Sequence, residues 1–301
     1  KFYTPEEYFR QQGTLGVAEF PWANRPIQSI FADRFDNLWL AIDRALIKMS
    51  IVSGTYREYR HEIDNPSSIL EDKISGIYGT GNGIIWLVYN NMGVSKLNTL
   101  TEGFIQYRSI PGDPNSLSGN TVRSVYQDKK NNLWIGNYSE GLNRIIPDKI
   151  NRIKHYLSDP DDIHTLNSNC ITSIYVDTKE RLWVGTFDKG FCYSDHIYQS
   201  PDLKFSRFKY EQNLEVQSFC EDKAGTIWIG TQEGLYFFDY DAHKLVHYGD
   251  SINQNSALQS VNIQSIHYEA PNTFWITSWN RGVCRLTVSS DCRISEKVQA
   301  D

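Results

Sequence analysis

The chain has no apolar run approaching 18 residues, no basic cluster, no CxxC pair, and no charged-then-apolar leader at its start. Each absence removes a class of function. Without a long apolar run no segment has the length of a membrane-spanning helix, so direct bilayer insertion by this sequence is not expected. A formal net charge of −6 gives no pull towards phosphate backbones, and nucleic acid is not an expected partner. The missing leader implies that any secretory signal was removed or never present. Five cysteines, Cys170, Cys192, Cys220, Cys284 and Cys292, are scattered and odd in number, which supports neither a zinc site nor a full disulfide framework. Cys284 and Cys292 are placed to pair across one hairpin, and buried free thiols are expected for the rest. There is no Gly-x-Ser-x-Gly elbow, no HExxH helix and no phosphate loop, so no catalytic residue, metal or cofactor is assigned. His243 and His247 are the two neighbouring histidines, and positions on one hairpin account for them.

What the sequence does have is repetition. Trp39, Trp86, Trp134, Trp183, Trp228 and Trp275 follow one another at intervals of 47, 48, 49, 45 and 47 residues, the spacing of one supersecondary unit copied six times. Twelve residues before each tryptophan stands Ile27, Ile74, Val122, Ile171, Val216 or Ile263, and nine before it Ile30, Ile77, Val125, Ile174, Phe219 or Ile266. Six before it is Asp33, Asp128, Asp177 or Asp222, with Thr80 in the second copy and Glu269 in the sixth. Ten before it is Ser29, Ser124, Ser173, Ser218 or Ser265, with Gly76 as the exception. An acid that recurs in five of the six copies serves the copy, so these aspartates are read as turn acceptors and not as an acid/base set.

Short runs rich in Ile, Val, Leu and aromatics, bounded by Gly, Asn and Asp, read as strands. Strand a carries Ile-x-Ser-Ile, and strand b carries Leu-Trp-Ile-Gly, apolar on both faces as a central strand should be. Strand c opens at Gly93, Gly141, Gly190, Gly234 or Gly282, and strand d ends on Tyr59, Tyr107, Tyr156, Phe208 or Tyr248. Apolar residues at three- and four-residue spacing are absent, which excludes a helical solenoid. The expected fold is all-β, a β-propeller of four-stranded antiparallel blades with six repeats visible: a six- or seven-bladed ring, or a piece of a longer array. Residues 1–301 are taken as a single propeller domain, with a partial repeat and entry segment over 1–25, six blades over 26–290 and a tail or closing strand over 291–301. Residues 1–10 align with 237–246, so the chain starts in mid-repeat, and either they or residues 293–298 supply the outer strand of the last blade. Trp22, in the entry segment, is expected to plug against the ring.

Loops on a rigid scaffold usually carry function, and two sets share one face: the long polar d-to-a linkers and the short b-to-c loops. The b-to-c loops differ from copy to copy where the strands agree. They supply the candidate ligand-binding residues Asp43, Arg44, Asn91, Tyr138, Glu140, Phe187, Asp188, Trp279, Asn280 and Arg281. Flat rings flanked by amide, carboxylate or guanidinium groups are what a sugar needs, and Trp279 with Asn280 and Arg281, or Tyr138 with Glu140, offers that combination.

The segments Asn132-Leu133-Trp134-Ile135-Gly136-Asn137-Tyr138-Ser139-Glu140-Gly141-Leu142, Arg181-Leu182-Trp183-Val184-Gly185-Thr186 and Thr226-Ile227-Trp228-Ile229-Gly230-Thr231-Gln232-Glu233-Gly234-Leu235, with the linker Pro114-Asn115-Ser116-Leu117-Ser118, resemble two-component regulator propeller repeats. The resemblance covers residues 26–290. It implies the periplasmic sensor region of a hybrid two-component system of the kind abundant in Bacteroides-type bacteria, a non-catalytic module responding to an oligosaccharide or other small ligand. It also implies a neighbouring propeller or a homodimer partner, and a histidine kinase beyond this chain. Copies one, two and six depart from the pattern, with Ala41-Ile42-Asp43, Val88-Tyr89-Asn90 and Thr277-Ser278-Trp279 in place of Gly-Thr. A scaffold for protein–protein contact is the alternative, marked by an exposed apolar patch on a flank, and a glycan-cleaving propeller is a third reading.

Overall fold

The structure is a computed structural model that describes residues 25–62, 65, 68–70, 73–80, 83–99, 103–147, 152–200, 202–208, 214–240, 242–248, 261–269, 273–279 and 282–288. Every regular element in it is a strand, and the chain divides into two compact units, up to Gln127 and from Asp128.

In the first unit, β1 (Ile27–Ala32), β2 (Asn37–Ile42), β3 (Ala45–Ser50) and β4 (Tyr56–Tyr59) form one sheet in sequence order. A second sheet follows with β5 (Ile74–Thr80), β6 (Ile84–Tyr89), β7 (Gly93–Asn98) and β8 (Gly103–Tyr107), and the unit ends with β9 (Val122–Gln127). The second unit continues with β10 (Leu133–Asn137), β11 (Leu142–Ile145) and β12 (Ile153–Tyr156), paired antiparallel in that order. Next come β13 (Ile171–Val176), β14 (Leu182–Thr186), β15 (Phe191–Ser194) and β16 (Ser206–Arg207), and then β17 (Val216–Glu221), β18 (Ile227–Thr231), β19 (Gly234–Asp239) and β20 (Lys244–His247). The last described sheet is β21 (Ile263–Glu269), β22 (Thr273–Ser278) and β23 (Gly282–Thr287). These antiparallel sheets are the six blades expected, and the fold is all-β, of the β-propeller class. The candidate closing segments 1–10 and 293–298, and Trp22, lie outside the described residues.

The repeated residues now have physical reasons. Between strands a and b the register shifts at the same place in five blades: Ile27/Ser29, Ile74/Gly76, Ile171/Ser173, Val216/Ser218 and Ile263/Ser265. A bulge there adds twist. It also sets the serine opposite the residue two beyond the tryptophan, so that Ser173 faces Gly185 and Ser218 faces Gly230. A Cβ on Gly185 would meet Ser173 Oγ at 2.2 Å and Val216 Cγ1 at 2.8 Å, and one on Gly230 would meet Ser218 Oγ at 2.6 Å and Ile263 Cγ2 at 2.7 Å. Glycine therefore lets the next blade's first strand approach. Blade two exchanges the sizes: Gly76 faces Val88, where a Cβ would rest an ordinary 3.8 Å from Val88 Cβ.

The acid six residues before the tryptophan does two tasks. One oxygen accepts turn N–H groups, as Asp222 Oδ1 does from Ala224 and Thr226 at 2.9 Å each. The other accepts the indole N–H: Trp39 to Asp33 at 2.8 Å, Trp134 to Asp128 at 2.9 Å, Trp183 to Asp177 at 3.0 Å, Trp228 to Asp222 at 2.9 Å and Trp275 to Glu269 at 2.7 Å. In blade two, where Thr80 replaces the acid, the buried Trp86 Nε1 has no hydrogen-bond partner. A buried donor left unmet costs roughly 1–3 kcal/mol. Thr80→Asp is expected to raise stability by about 1 kcal/mol, read as a higher urea midpoint at unchanged slope, while an unchanged midpoint would show that an acid at 80 does not reach the indole.

Adjacent blades bury their facing sides in continuous cores. In the first unit Trp39, Leu46 and Tyr59 pack with Ile74, Leu87 and Tyr89. In the second, Trp183, Phe191 and Tyr193 pack with Phe219, Ile229 and Phe238, with ring centroids 5.1–6.1 Å from Trp183 for the aromatic members Tyr193, Phe238 and Phe219. Cys192, Cys220 and Cys284 are free thiols, and burial pushes Cys192 up to about 12 and Cys220 up to about 11. Cys292, the suggested partner of Cys284, lies outside the described residues.

Candidate functional site

Within each unit the b-to-c loops and the d-to-a linkers are hydrogen-bonded to one another, as the shared-face expectation requires. In the first unit Gly93 N donates to Asn120 O at 2.9 Å, and Asn120 Oδ1 accepts Ser109 N at 2.7 Å. The same arrangement recurs in the second, where Gly141 N donates to Asn169 O at 2.9 Å and Asn169 Oδ1 accepts Ser158 N at 2.7 Å. Phe187 N donates to Cys170 O at 3.0 Å, and Gly190 N to Leu214 O at 2.8 Å. Gly141 must be glycine: its φ is +73°, and a Cβ would meet Tyr156 O at 2.4 Å and Leu157 Cδ2 at 2.9 Å.

The linkers are folded around a hydroxyl. Ser116 Oγ accepts Ile110 N and donates to Asp113 O, both at 2.9 Å, and Thr165 Oγ1 accepts Asp159 N at 2.8 Å and donates to Asp162 O at 2.9 Å. The residue after each hydroxyl, Leu117 or Leu166, is buried as an anchor. Behind the second linker lies Arg207, whose Nη2 donates to Asp159 O, Asp162 O and Thr165 Oγ1 at 2.7 Å each and to Leu166 O at 2.9 Å, while Nε donates to Thr165 O at 3.0 Å. One guanidinium thus gathers the carbonyls of a whole linker.

On this framework the structure brings together Tyr138 and Phe187, from the b-to-c loops of the third and fourth blades. Their ring centroids lie 6.3 Å apart with planes at 60°, and they remain 37% and 45% exposed. Glu140 flanks them, its carboxylate accepting Ser139 Oγ at 2.6 Å and Ser139 N at 3.3 Å. Asp188 follows Phe187, and its Oδ1 is buried without a hydrogen-bond partner. Trp279, on the loop after β22, is 73% exposed, its backbone N–H on Asn262 O at 3.1 Å and its ring without an aromatic partner among the described residues. Asn280 and Arg281 lie outside the described residues. Asp43, Arg44 and Asn91 belong to the first unit: Arg44 Nε is 3.8 Å from Asp43 Oδ2 on an exposed turn, and Asn91 Oδ1 accepts Thr121 Oγ1 at 3.2 Å.

Two residues on the same face escaped the sequence reading. Leu157 and Ile163, in a linker read as polar, are 53% and 68% exposed, and Leu157 lies against Gly141 beside the Tyr138 loop. Leu157 directly follows the aromatic that ends strand d, which is the signal available for it. Among the described residues no group of three or more His, Cys, Asp or Glu side chains is placed to hold a metal ion.

The geometry defines a class first: a propeller with a repetitive hydrogen-bonded frame and individual side chains on one loop face. Comparison with known proteins follows from that class. Residues 116–139, 165–188 and 210–233 match the model of the two component regulator propeller, each match spanning strands a and b and entering a b-to-c loop. It is 27% identical over 211 residues to Histidine kinase P4 of Formosa agariphila, covering 65% of this chain and 15% of that protein. Its fold is similar to the extracellular domain of a hybrid two component system of B. thetaiotaomicron, with a TM-score of 0.72, 22% identity and coverage of 92% of this chain and 35% of that one. It is also similar to PorZ, a surface component of the type-IX secretion system of Porphyromonas gingivalis, with a TM-score of 0.62, 15% identity and coverage of 83% and 37%. The chain therefore spans a small part of the curated relative and about a third of each of these structures.

Proposed function

We propose that this chain is an extracytoplasmic sensing propeller of a two-component system that binds an oligosaccharide without transforming it. The observation that carries the reading is the Tyr138–Phe187 pair: two exposed rings on loops whose backbones are tied to the neighbouring linkers. Exposed aromatic faces beside carboxylates suit a sugar's apolar faces and hydroxyl donors, and a tied-down backbone lowers the ordering cost of binding. The repeat family and the similarity to extracellular sensor domains support the sensing role and a periplasmic position. In such a sensor the ligand acts by binding one arrangement of a longer array or dimer better than another, and it biases the output only as far as that difference in affinity allows.

Isothermal titration of the chain with a panel of oligosaccharides tests this. Binding without product is expected, and Tyr138→Ala or Phe187→Ala is expected to weaken it about three- to tenfold each. Released product, or affinity untouched by both substitutions, would overturn the reading. Leu157 and Ile163 favour a second reading, a protein partner on the same loops, because both are more exposed than the two rings. A self-associating chain with no affinity for any saccharide would select it.

A further inference from the structure

The charge around the aromatic pair narrows the ligand beyond the word saccharide. The loop segments of this face in the second unit, residues 137–141, 157–169 and 187–190, carry five carboxylates, Glu140, Asp159, Asp161, Asp162 and Asp188, and one fixed cation, Lys189. Asp159, Asp161 and Asp162 are exposed, while Glu140 and Asp188 are half-buried. Arg207, behind the second linker, has its fork spent on the linker carbonyls and the Thr165 hydroxyl.

Several carboxylates are also held in position. Asp159 Oδ1 accepts Asp161 N, and Asp162 Oδ1 accepts His164 N, both at 2.9 Å, so these charges are built into the turns. Counting Lys189 and Arg207 against the five acids leaves a formal excess of three negative charges on these loop segments and the arginine that holds them. At physiological salt such charges act over about 8 Å. Ligand hydroxyls can donate to carboxylates, whereas a ligand carboxylate or sulfate meets them as like charges.

We propose that the saccharide taken at the Tyr138–Phe187 face is non-anionic, a glycan chain without uronate or sulfate groups. This rests on the oligosaccharide reading above, and the experiment separates the two. The whole chain is titrated at low and at physiological salt with cellotetraose, mannotetraose, xylotetraose and laminaritetraose, and with tetragalacturonate and a sulfated galactan tetramer. Binding of at least one neutral tetramer is expected, with both anionic tetramers at least about tenfold weaker and gaining affinity as salt rises. Asp161→Lys, at a position whose side chain supports no loop hydrogen bond described above, is expected to raise affinity for the anionic tetramers several-fold relative to the neutral ones. An anionic tetramer that binds as well as the neutral ones, or an Asp161→Lys chain with unmoved affinity for it, overturns the charge inference and leaves the oligosaccharide reading standing. No binding by any member of either class overturns both.

Discussion

Asp177→Ala is expected to destabilise the second unit by about 3–5 kcal/mol, the cost of leaving a buried charge without its partner. The Asp177 carboxylate is fully buried and serves three donors: Oδ1 takes Arg181 N at 2.9 Å, and Oδ2 takes Trp183 Nε1 at 3.0 Å and Arg181 Nε at 2.6 Å. Removing it strands a buried guanidinium as well as two N–H groups. Arg181 keeps only ring contacts: its Nη2 already lacks a partner, and its Cζ lies 3.9 Å from the centroid of the Tyr240 ring and 5.6 Å from that of the Trp183 ring. Asp222→Ala provides the comparison. It breaks the same indole bond and the same kind of turn but strands no guanidinium, so about 1–3 kcal/mol is expected. Urea unfolding followed by tryptophan fluorescence checks both. Equal losses would show that Arg181 finds another partner and that the buried ion pair adds nothing to the indole clamp.

That comparison shows what the sequence makes legible. The 47-residue period locates the strands because a blade buries its central strand on both faces, and Leu133, Trp134 and Ile135 record that burial directly. The repeated aspartate was readable as a turn acceptor, since an Asp opening a short connection has local donors. Its bond to the indole six residues on was not, because that bond depends on the bulge and twist that bring the tryptophan back over the turn. The Gly76 exception is compensation: the small residue stands on strand a where Val88 takes the place of glycine on strand b. Periodicity has nothing to say about residues that occur once. Leu157 and Ile163 are single apolar residues in a polar linker, and a single residue has no period. Arg207 lies more than 40 residues from the loop it holds, on a two-residue strand, so nothing local marks it. Of the candidates drawn from the variable loops, the structure joins Tyr138 to Phe187 because adjacent blades place equivalent loops side by side, a relation that follows from the repeat once the fold is known.

Arg207→Ala is expected to cost about 2–4 kcal/mol and to disable the loop face, because it removes charged hydrogen bonds from five acceptors together. The linker it gathers leads within four residues of Leu166 to Asn169 and Cys170. Asn169 O receives Gly141 N at the base of the Tyr138 loop, and Cys170 O receives Phe187 N. Releasing the linker therefore loosens the anchors of both rings, although Arg207 touches neither. Two measurements separate this from general destabilisation. Hydrogen exchange is expected to rise first in the amides of Asp159, Asp161, His164 and Phe187, while those of β14 and β18 keep their protection. Oligosaccharide affinity is expected to fall by more than either ring substitution alone causes, at temperatures where the blades remain folded. Arg207→Lys is expected to restore little of either, since an ammonium is a point donor and the acceptors are spread around a planar fork. Unchanged exchange in the linker of the alanine variant would mean that the Thr165 hydroxyl and the buried Leu166 hold the loop unaided, and the coupling from strand d to the aromatic pair would then fail.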